Sequence, residues 1–201
     1  MATPLPFLDL ARSRRTARDH APAGVPPAAI AYVLEAARWA PSAANRQPWE
    51  FIVIGDPELK RALRLAFLDE AAAHDSRYRS VTEKQADLLL APGLILVLGD
   101  AGTKARYINA AEIGEDAQEE LFLLSMGAAI QNMLLAATAS GLTSTWIARP
   151  ARLPAIRALL RVPDALRSIA FVALGMAEAP PHWSEQMRNP LKRHRDRFGV
   201  T

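Results

Sequence analysis

The sequence predicts one domain of α/β or α+β class, and three observations carry that expectation. Stretches with apolar residues at helical spacing alternate with short runs of β-formers along the whole chain of 201 residues. No internal repeat and no linker divides it, so a single domain is expected over 1–201, with a basic extension from about 188 to 201. Half of the residues are hydrophobic and mean hydropathy is near zero, enough to fill a sizeable core.

The elements follow in order. Pro26-Pro27 opens the first clear helix, because proline's fixed φ suits a first turn. Ile30, Val33, Leu34 and Ala37 repeat along one face, and Pro41 ends it. Trp49–Ile54 reads as a strand that Gly55 breaks. Asp56-Pro57-Glu58 has the form of an N-cap with proline at the first helical position, and Leu59, Leu63, Ala66 and Phe67 continue that helix. Residues 77–90 are expected to be helical, though weakly patterned. Leu94–Leu98 is a short apolar run bounded by glycines, consistent with a buried strand. From Asp100 to about Asp116 the pattern lapses, and a mobile loop or lid is expected.

Leu121–Ser140 is the longest helix, with Gly141 as its left-handed stop. Apolar residues cover more than one of its faces, while Gly127, Ala128 and Ala129 keep one face thin. It is either an internal core helix or a helix shared with a second subunit. Thr143–Ile147 and Ile169–Leu174 are further strands, with a short helix from about Pro154 to Leu160 between them.

Composition excludes several kinds of chemistry. The chain has no cysteine, so disulfides, thiolate metal sites and cysteine nucleophiles are ruled out, which fits a reducing compartment. No run is expected to span a membrane, since Leu121–Ala139 is interrupted by Ser125, Gln131, Asn132 and Thr138. Arg14-Arg15 resembles the start of a twin-arginine signal, but Asp19-His20-Ala21-Pro22 follows instead of an apolar stretch. No signal peptide is read, and a cytoplasmic location is expected. His20, His74, His182 and His194 show no metal-ligand spacing. Gly-x-Ser-x-Gly, Walker and Gly-x-Gly-x-x-Gly patterns are all absent.

Net charge is +3, yet basic residues crowd both ends. Arg12, Arg14, Arg15 and Arg18 lie near the start; Arg188, Lys192, Arg193, Arg195 and Arg197 lie near the end. Such clusters imply a phosphate partner, nucleic acid or solvated tails. No nucleic-acid-binding signature accompanies them. One phosphate gripped from both ends accounts for the same residues.

The segment Ala40-Pro41-Ser42-Ala43-Ala44-Asn45-Arg46-Gln47-Pro48-Trp49 joins a helix to a strand. Amides and hydroxyls on such a connection are binding groups, or else turn residues that bond their own backbone. The segment resembles the A-P-S-x-x-N-x-Q-P-W signature of the FMN-dependent nitroreductase family. Arg14-Arg15-Thr16-Ala17-Arg18 is similar to that family's N-terminal R-R-S-x-R motif, with Thr for Ser. Gly127–Ala137, running on to Gly141-Leu142, resembles its central helix. The three occur in family order, and the likeness extends from about Arg14 to about Pro190.

The resemblance implies an α+β, three-layer fold: a central mixed or antiparallel sheet flanked by helices, with the long helix at a homodimer interface. It implies bound FMN at the subunit interface and NADH or NADPH as a transient donor, with a small-molecule acceptor and neither nucleic acid nor membrane as partner. Arg14, Arg15 and Thr16 would grip the phosphate, joined by Arg188 from the C-terminal end. Arg18 would stabilise the reduced flavin near N1 and the C2 carbonyl. Lys84 or Gln85 would reach the pyrimidine edge. Pro41, Ser42, Ala43 and Asn45 would contact the flavin of the opposite subunit, while Gln47 braces the loop and Trp49 anchors it. His20 stands where the family usually has an aromatic, so packing is its expected job.

Where one nitroreductase subgroup has Pro-x-Glu-Gly next to flavin N5, this chain reads Trp146-Ile147-Ala148-Arg149. Backbone N–H groups can still face N5 and O4 there. The acidic side chain is absent, and Arg149 adds bulk and charge. No side chain need act as acid or base. The expected mechanism is ping-pong hydride transfer from NAD(P)H through flavin N5 to a nitroaromatic, quinone or activated alkene. Two alternatives stand beside it: a flavin-consuming enzyme like dimethylbenzimidazole synthase, and a non-enzymatic basic protein that binds nucleic acid or other anions.

Overall fold

The computed structural model describes residues 6–72, 79–100, 102 and 110–176. Among these residues six α-helices and four strands follow one another: α1 (Phe7–Ser13), α2 (Pro27–Arg38), β1 (Trp49–Ile54), α3 (Pro57–Ala72), α4 (Arg79–Asp87), β2 (Gly93–Asp100), α5 (Ala110–Ala139), β3 (Thr143–Ile147), α6 (Pro154–Leu159) and β4 (Leu166–Gly175). The strands form one sheet in the order β1-β2-β4-β3, every neighbouring pair antiparallel.

Alternation along the two central strands builds two cores. Ile95, Val97, Val172 and Leu174 face α2 and α5, where they meet Val33, Ala37, Met126, Ile130 and Met133. Leu94, Leu96, Leu98, Phe171 and Ala173 face the other way, onto Leu63, Phe67 and Ile156 of α3 and α6. Successive side chains on a strand point to opposite faces, so two apolar faces demand two helical layers. The result is the three-layer α+β fold.

Local signals act as their chemistry requires. The Asp56 carboxylate accepts the Glu58 amide at 2.9 Å, capping α3. Gly141 sits at φ 73°, and the Leu142 amide reaches back to the Ala137 carbonyl at 2.9 Å, the six-to-one bond of a Schellman stop. β2 and β4 extend past the expected runs. Polar Arg167 and Ser168 still pair, with Gly99 and Leu98, beside a register shift at Val97/Leu98.

Three expectations change. α1 was not anticipated, because its seven residues carry no repeat long enough to register. The expected loop from Asp100 to Asp116 holds helix from Ala110 onward; residues 101 and 103–109 lie outside the described part. That first stretch is polar and exposed, so apolar spacing could not reveal it, and the helical dihedrals break at Gly114, φ 75°. The segment Glu112–Ala139 is long and apolar enough, by length and composition, to cross a membrane, contrary to expectation. From Leu121 onward its polar residues are uncharged and mostly hydrogen-bonded within the domain. Ser125 donates to the Leu121 carbonyl (2.7 Å), Thr138 to Leu134 (3.0 Å) and Asn132 to Ala36 on α2 (3.0 Å). Half of its most apolar window is buried within the domain, as in a core helix of a globular fold.

α5 approaches the sheet closely at Gly99, where an added Cβ would stand 2.4 Å from Cζ of the fully buried Phe122. Overpacking of this kind costs about 1–3 kcal/mol, so Gly99→Ala should lower the urea midpoint accordingly. An unchanged midpoint would mean that the Phe122 ring swings aside without loss.

Candidate functional site

β3 is an edge strand, and its outer side is where the N-terminal arginines are brought. Thr16 bridges Ser144 in parallel, the Ala17 amide donates to the Ser144 carbonyl at 3.2 Å, and the Thr145 hydroxyl donates to the Ala17 carbonyl. Further on, the Ala21 amide donates to the Met176 carbonyl at 2.9 Å. These contacts lay the segment from Arg14 to Ala21 along β3 and the end of β4. Arg14 and Arg15 are half-buried there, with an Arg15 Nη1 bond to the Arg14 carbonyl (2.7 Å), while Thr16 and Arg18 are exposed. Beyond the clasp, Trp146 is exposed and Ile147 buried on the same edge.

His20 fills the space over Gly175, where an added Cβ would sit 2.7 Å from the His20 Cβ. Its Nδ1 lies 3.0 Å from the Thr143 hydroxyl, which itself donates to the Gly175 carbonyl, so Nδ1 carries the proton-poor role only if that hydroxyl turns. Nε2 is buried and has no hydrogen-bond partner among the described residues. Packing is thus one part of its role, as the sequence implied. Arg18, Asp19, His20, Asp87, Leu90 and Pro92 line a cavity of about 440 Å³.

The segment Pro41–Gln47 is held in an uncommon shape. Ala44, Asn45 and Gln47 all take left-handed conformations, at φ 50°, 51° and 48°. For alanine that region is costly, and such clusters gather where a loop must present groups in one arrangement. The surroundings over-determine it. The Ser42 hydroxyl accepts the Gln47 amide (2.9 Å), buried Ser125 accepts the Ala43 amide (3.1 Å), and the Gln47 side chain reaches Asn45 Oδ1 (3.3 Å). Trp49 is buried behind it. Gln47 as brace and Trp49 as anchor fit these positions.

The two halves of the candidate site are far apart within one chain. Pro41–Asn45 leads into β1 and Arg14–Arg18 lies on β3, at opposite edges of the sheet. Three strand spacings, roughly 14 Å, separate those edges. Lys84 is exposed on α4. Ala148 is exposed in the turn after β3. Arg149 leans away from that edge: Nη1 lies 3.3 Å from the Thr82 hydroxyl on α4, and its guanidinium rests 5.7 Å from the Phe67 ring centre. Arg188 lies outside the described residues. Sequence reasoning missed Ser125 and Ser144. The first was legible only as a polar break in an apolar helix, the second only within the hydroxyl run Thr143-Ser144-Thr145.

This arrangement fits a phosphorylated, partly anionic cofactor. The segment that carries Arg14, Arg15, Thr16 and Arg18 lies along one sheet edge, and the adjacent Ser144 hydroxyl is buried without a partner among the described residues. The model of the nitroreductase family matches residues 11–176, the span from α1 to the end of β4. The chain belongs to the nitroreductase family. It is therefore an FMN-dependent oxidoreductase, and the reading as a non-enzymatic basic protein falls. An NADH dehydrogenase of Thermus thermophilus is 31% identical to this family member, over 96% of this chain and 98% of the relative. A nitrobenzene nitroreductase of Ectopseudomonas oleovorans is 28% identical, over 86% and 88%. A Desulfovibrio desulfuricans protein solved in complex with FMN superimposes with a TM-score of 0.68 at 29% identity, over 94% of each chain.

His20 should make the stability of this nitroreductase depend on pH. Burial lowers its pKa below 6.5, opposed by Asp19. As pH falls through 6.5 the unfolded chain takes up the proton first, so stability is lost between 6.5 and the depressed native value. His20→Phe should flatten the urea midpoint between pH 7.5 and 5.5 relative to wild type; equal slopes would assign the dependence to other groups.

Proposed function

We propose that this nitroreductase is a homodimer that holds FMN at the subunit interface and moves hydride from NAD(P)H to a small electrophilic acceptor: a nitroaromatic, a quinone or an activated alkene. FMN, when bound, would supply the hydride-carrying redox chemistry, in a ping-pong order in which the acceptor takes the place that the nicotinamide leaves. The protein's residues bind, orient and exclude water. Arg14, Arg15 and Thr16 are proposed as the phosphate grip, with Arg188 completing it. Arg18 is the fixed cation proposed for the pyrimidine edge, with Lys84 as its neighbour. Backbone groups of Trp146, Ile147, Ala148 and Arg149 are left to face the ring's reactive edge, because Arg149 turns its charge toward Thr82. We infer a cytoplasmic location, which a chain without cysteine suits.

The observation that carries this reading is the clasp of the arginine segment onto β3. The names of the relatives support donor and acceptor: one is an NADH dehydrogenase, another a nitrobenzene nitroreductase. The homodimer rests on two further features. Pro41, Ser42, Ala43 and Asn45 cannot meet their own chain's arginine edge across the width of the sheet, whereas a second copy can supply them. α5 also leaves an apolar face uncovered. Leu124 is 71% exposed, Gly127 has open space above it, and Trp39 at the end of α2 is 72% exposed. The Trp39 ring is held ready by its Nε1 bond to Glu35 (2.7 Å) and by Arg38 at 5.1 Å.

The purified protein should be yellow, and its flavin bands should bleach under anaerobic NADH or NADPH and recover with a nitroaromatic. Initial-rate lines at several acceptor concentrations should be parallel. A protein that stays colourless after incubation with FMN, or a stable ternary complex, would overturn the reading. Leu124→Glu should run as a monomer in light scattering and lose FMN; a dimeric yellow variant would sink the proposed interface.

A further inference from the structure

β3 is half as long as the strand it pairs with. Its five residues face Phe171–Gly175, so the first half of β4, Leu166–Ala170, continues with no strand on that side. The chain from Ala148 to Ala165 folds into the notch. Arg157 of α6 satisfies the bare edge there. Nη1 donates to the Leu166 carbonyl and the Ser168 hydroxyl, both at 3.0 Å, and Nη2 donates to the Pro163 carbonyl at 3.2 Å.

All three acceptors are neutral. Among the described residues, no carboxylate lies within ion-pair distance of Arg157 or of Arg152, which caps the other side of the notch. The third guanidinium, Arg167, is neutralised from α5 by Glu119 and lies over Phe122. Together with Asp164, Leu166 and buried Ser168, these arginines line a cavity of about 340 Å³. Arg152 is exposed and Arg157 half-buried; a half-buried guanidinium without a counter-charge is costly, and a phosphate supplies that charge with matching geometry. Asp164 repels a bare dianion but accepts hydroxyl protons. A cluster of guanidinium forks beside one carboxylate therefore suits a phosphate carried on a hydroxylated sugar.

We propose that this cavity binds a phosphorylated ribose, the adenosine 2′-phosphate end of NADPH, an inference that rests on the flavin oxidoreductase reading. The cavity opens three residues beyond Arg149, past the end of the strand whose edge carries the proposed flavin site. A dinucleotide with its nicotinamide over that edge has its distal end free to run on into the notch. The enzyme accordingly prefers NADPH to NADH.

Calorimetric titration of the FMN-loaded protein with adenosine 2′,5′-bisphosphate and with 5′-AMP tests this directly. Tighter binding of the bisphosphate is expected, weakened about tenfold or more in Arg152→Gln and in Ser168→Ala. Arg161→Gln, an exposed arginine outside the cavity, should titrate like wild type. Ribose 5-phosphate binding as tightly as the bisphosphate would assign the site to a free sugar phosphate and overturn the NADPH source. Bisphosphate binding that ignores both cavity variants, or no binding at all, would overturn the site. A yellow protein that fails here leaves the flavin reading standing; a colourless protein that binds the bisphosphate does the reverse.

Discussion

The pairing of Thr16 and Ala17 with Ser144 and Thr145 is the contact on which the functional half of this molecule depends. An edge strand exposes a row of unpaired N–H and C=O groups, which most proteins blunt or cover. Here a short segment covers part of that row, and the segment is the one that carries Arg14, Arg15 and Arg18. Strand satisfaction and cation placement are thereby a single event. The clasp is local, using one backbone bond and one hydroxyl, so it leaves the far end of β3 open. A ligand lying along that edge meets charge at one end and bare backbone at the other.

The sheet order makes the second constraint. With β1 and β3 at opposite edges, the strained segment before β1 and the arginines on β3 are separated by the width of the sheet within one chain. Yet three left-handed residues in that segment, one of them alanine, are held by Ser42 and by Ser125 from α5. A fold keeps such strain only where the arrangement is over-determined. Its anchor is the same helix that leaves Leu124 and Gly127 uncovered, so strain and exposed face share one support. The proposed two-chain site would account for both.

Much of the fold was legible because its signals are physically local. Asp56-Pro57 caps α3, Gly141 stops α5, and β1 ends where Gly55 breaks it. The two central strands were legible as continuous apolar runs, because burial on both faces removes alternation. What was illegible lacked a periodic or local mark. The exposed start of α5 has no apolar stripe, and α1 is too short to show one. In the candidate site, the arginines and the Pro41–Trp49 segment stood out by motif. Ser125 and Ser144 did not, since a lone serine in a helix or strand looks the same whether it caps a strained loop or points at solvent. Only the tertiary contact from residue 43 to residue 125 distinguishes them.

The turn after β3 shows how one substitution changes an edge without changing the fold. An acidic residue in this turn would add negative charge beside the edge proposed to face the flavin. Arg149 adds none, and its positive charge is drawn off toward Thr82 and the Phe67 face. The exposed groups left near the strand end are the Trp146 ring and the small Ala148. Charge at this edge is therefore set by the arginines of the clasp, which lie toward the start of β3, and by those of the notch, which lie past its end. Between them stands an apolar, sterically open stretch. On the proposed reading the clasp arginines would hold the flavin phosphate and the notch the distal phosphate of the donor, leaving the stretch between them unconstrained, where a compact uncharged acceptor would follow the nicotinamide. Selectivity for the donor and tolerance for the acceptor would then be two consequences of one charge distribution along a single strand edge.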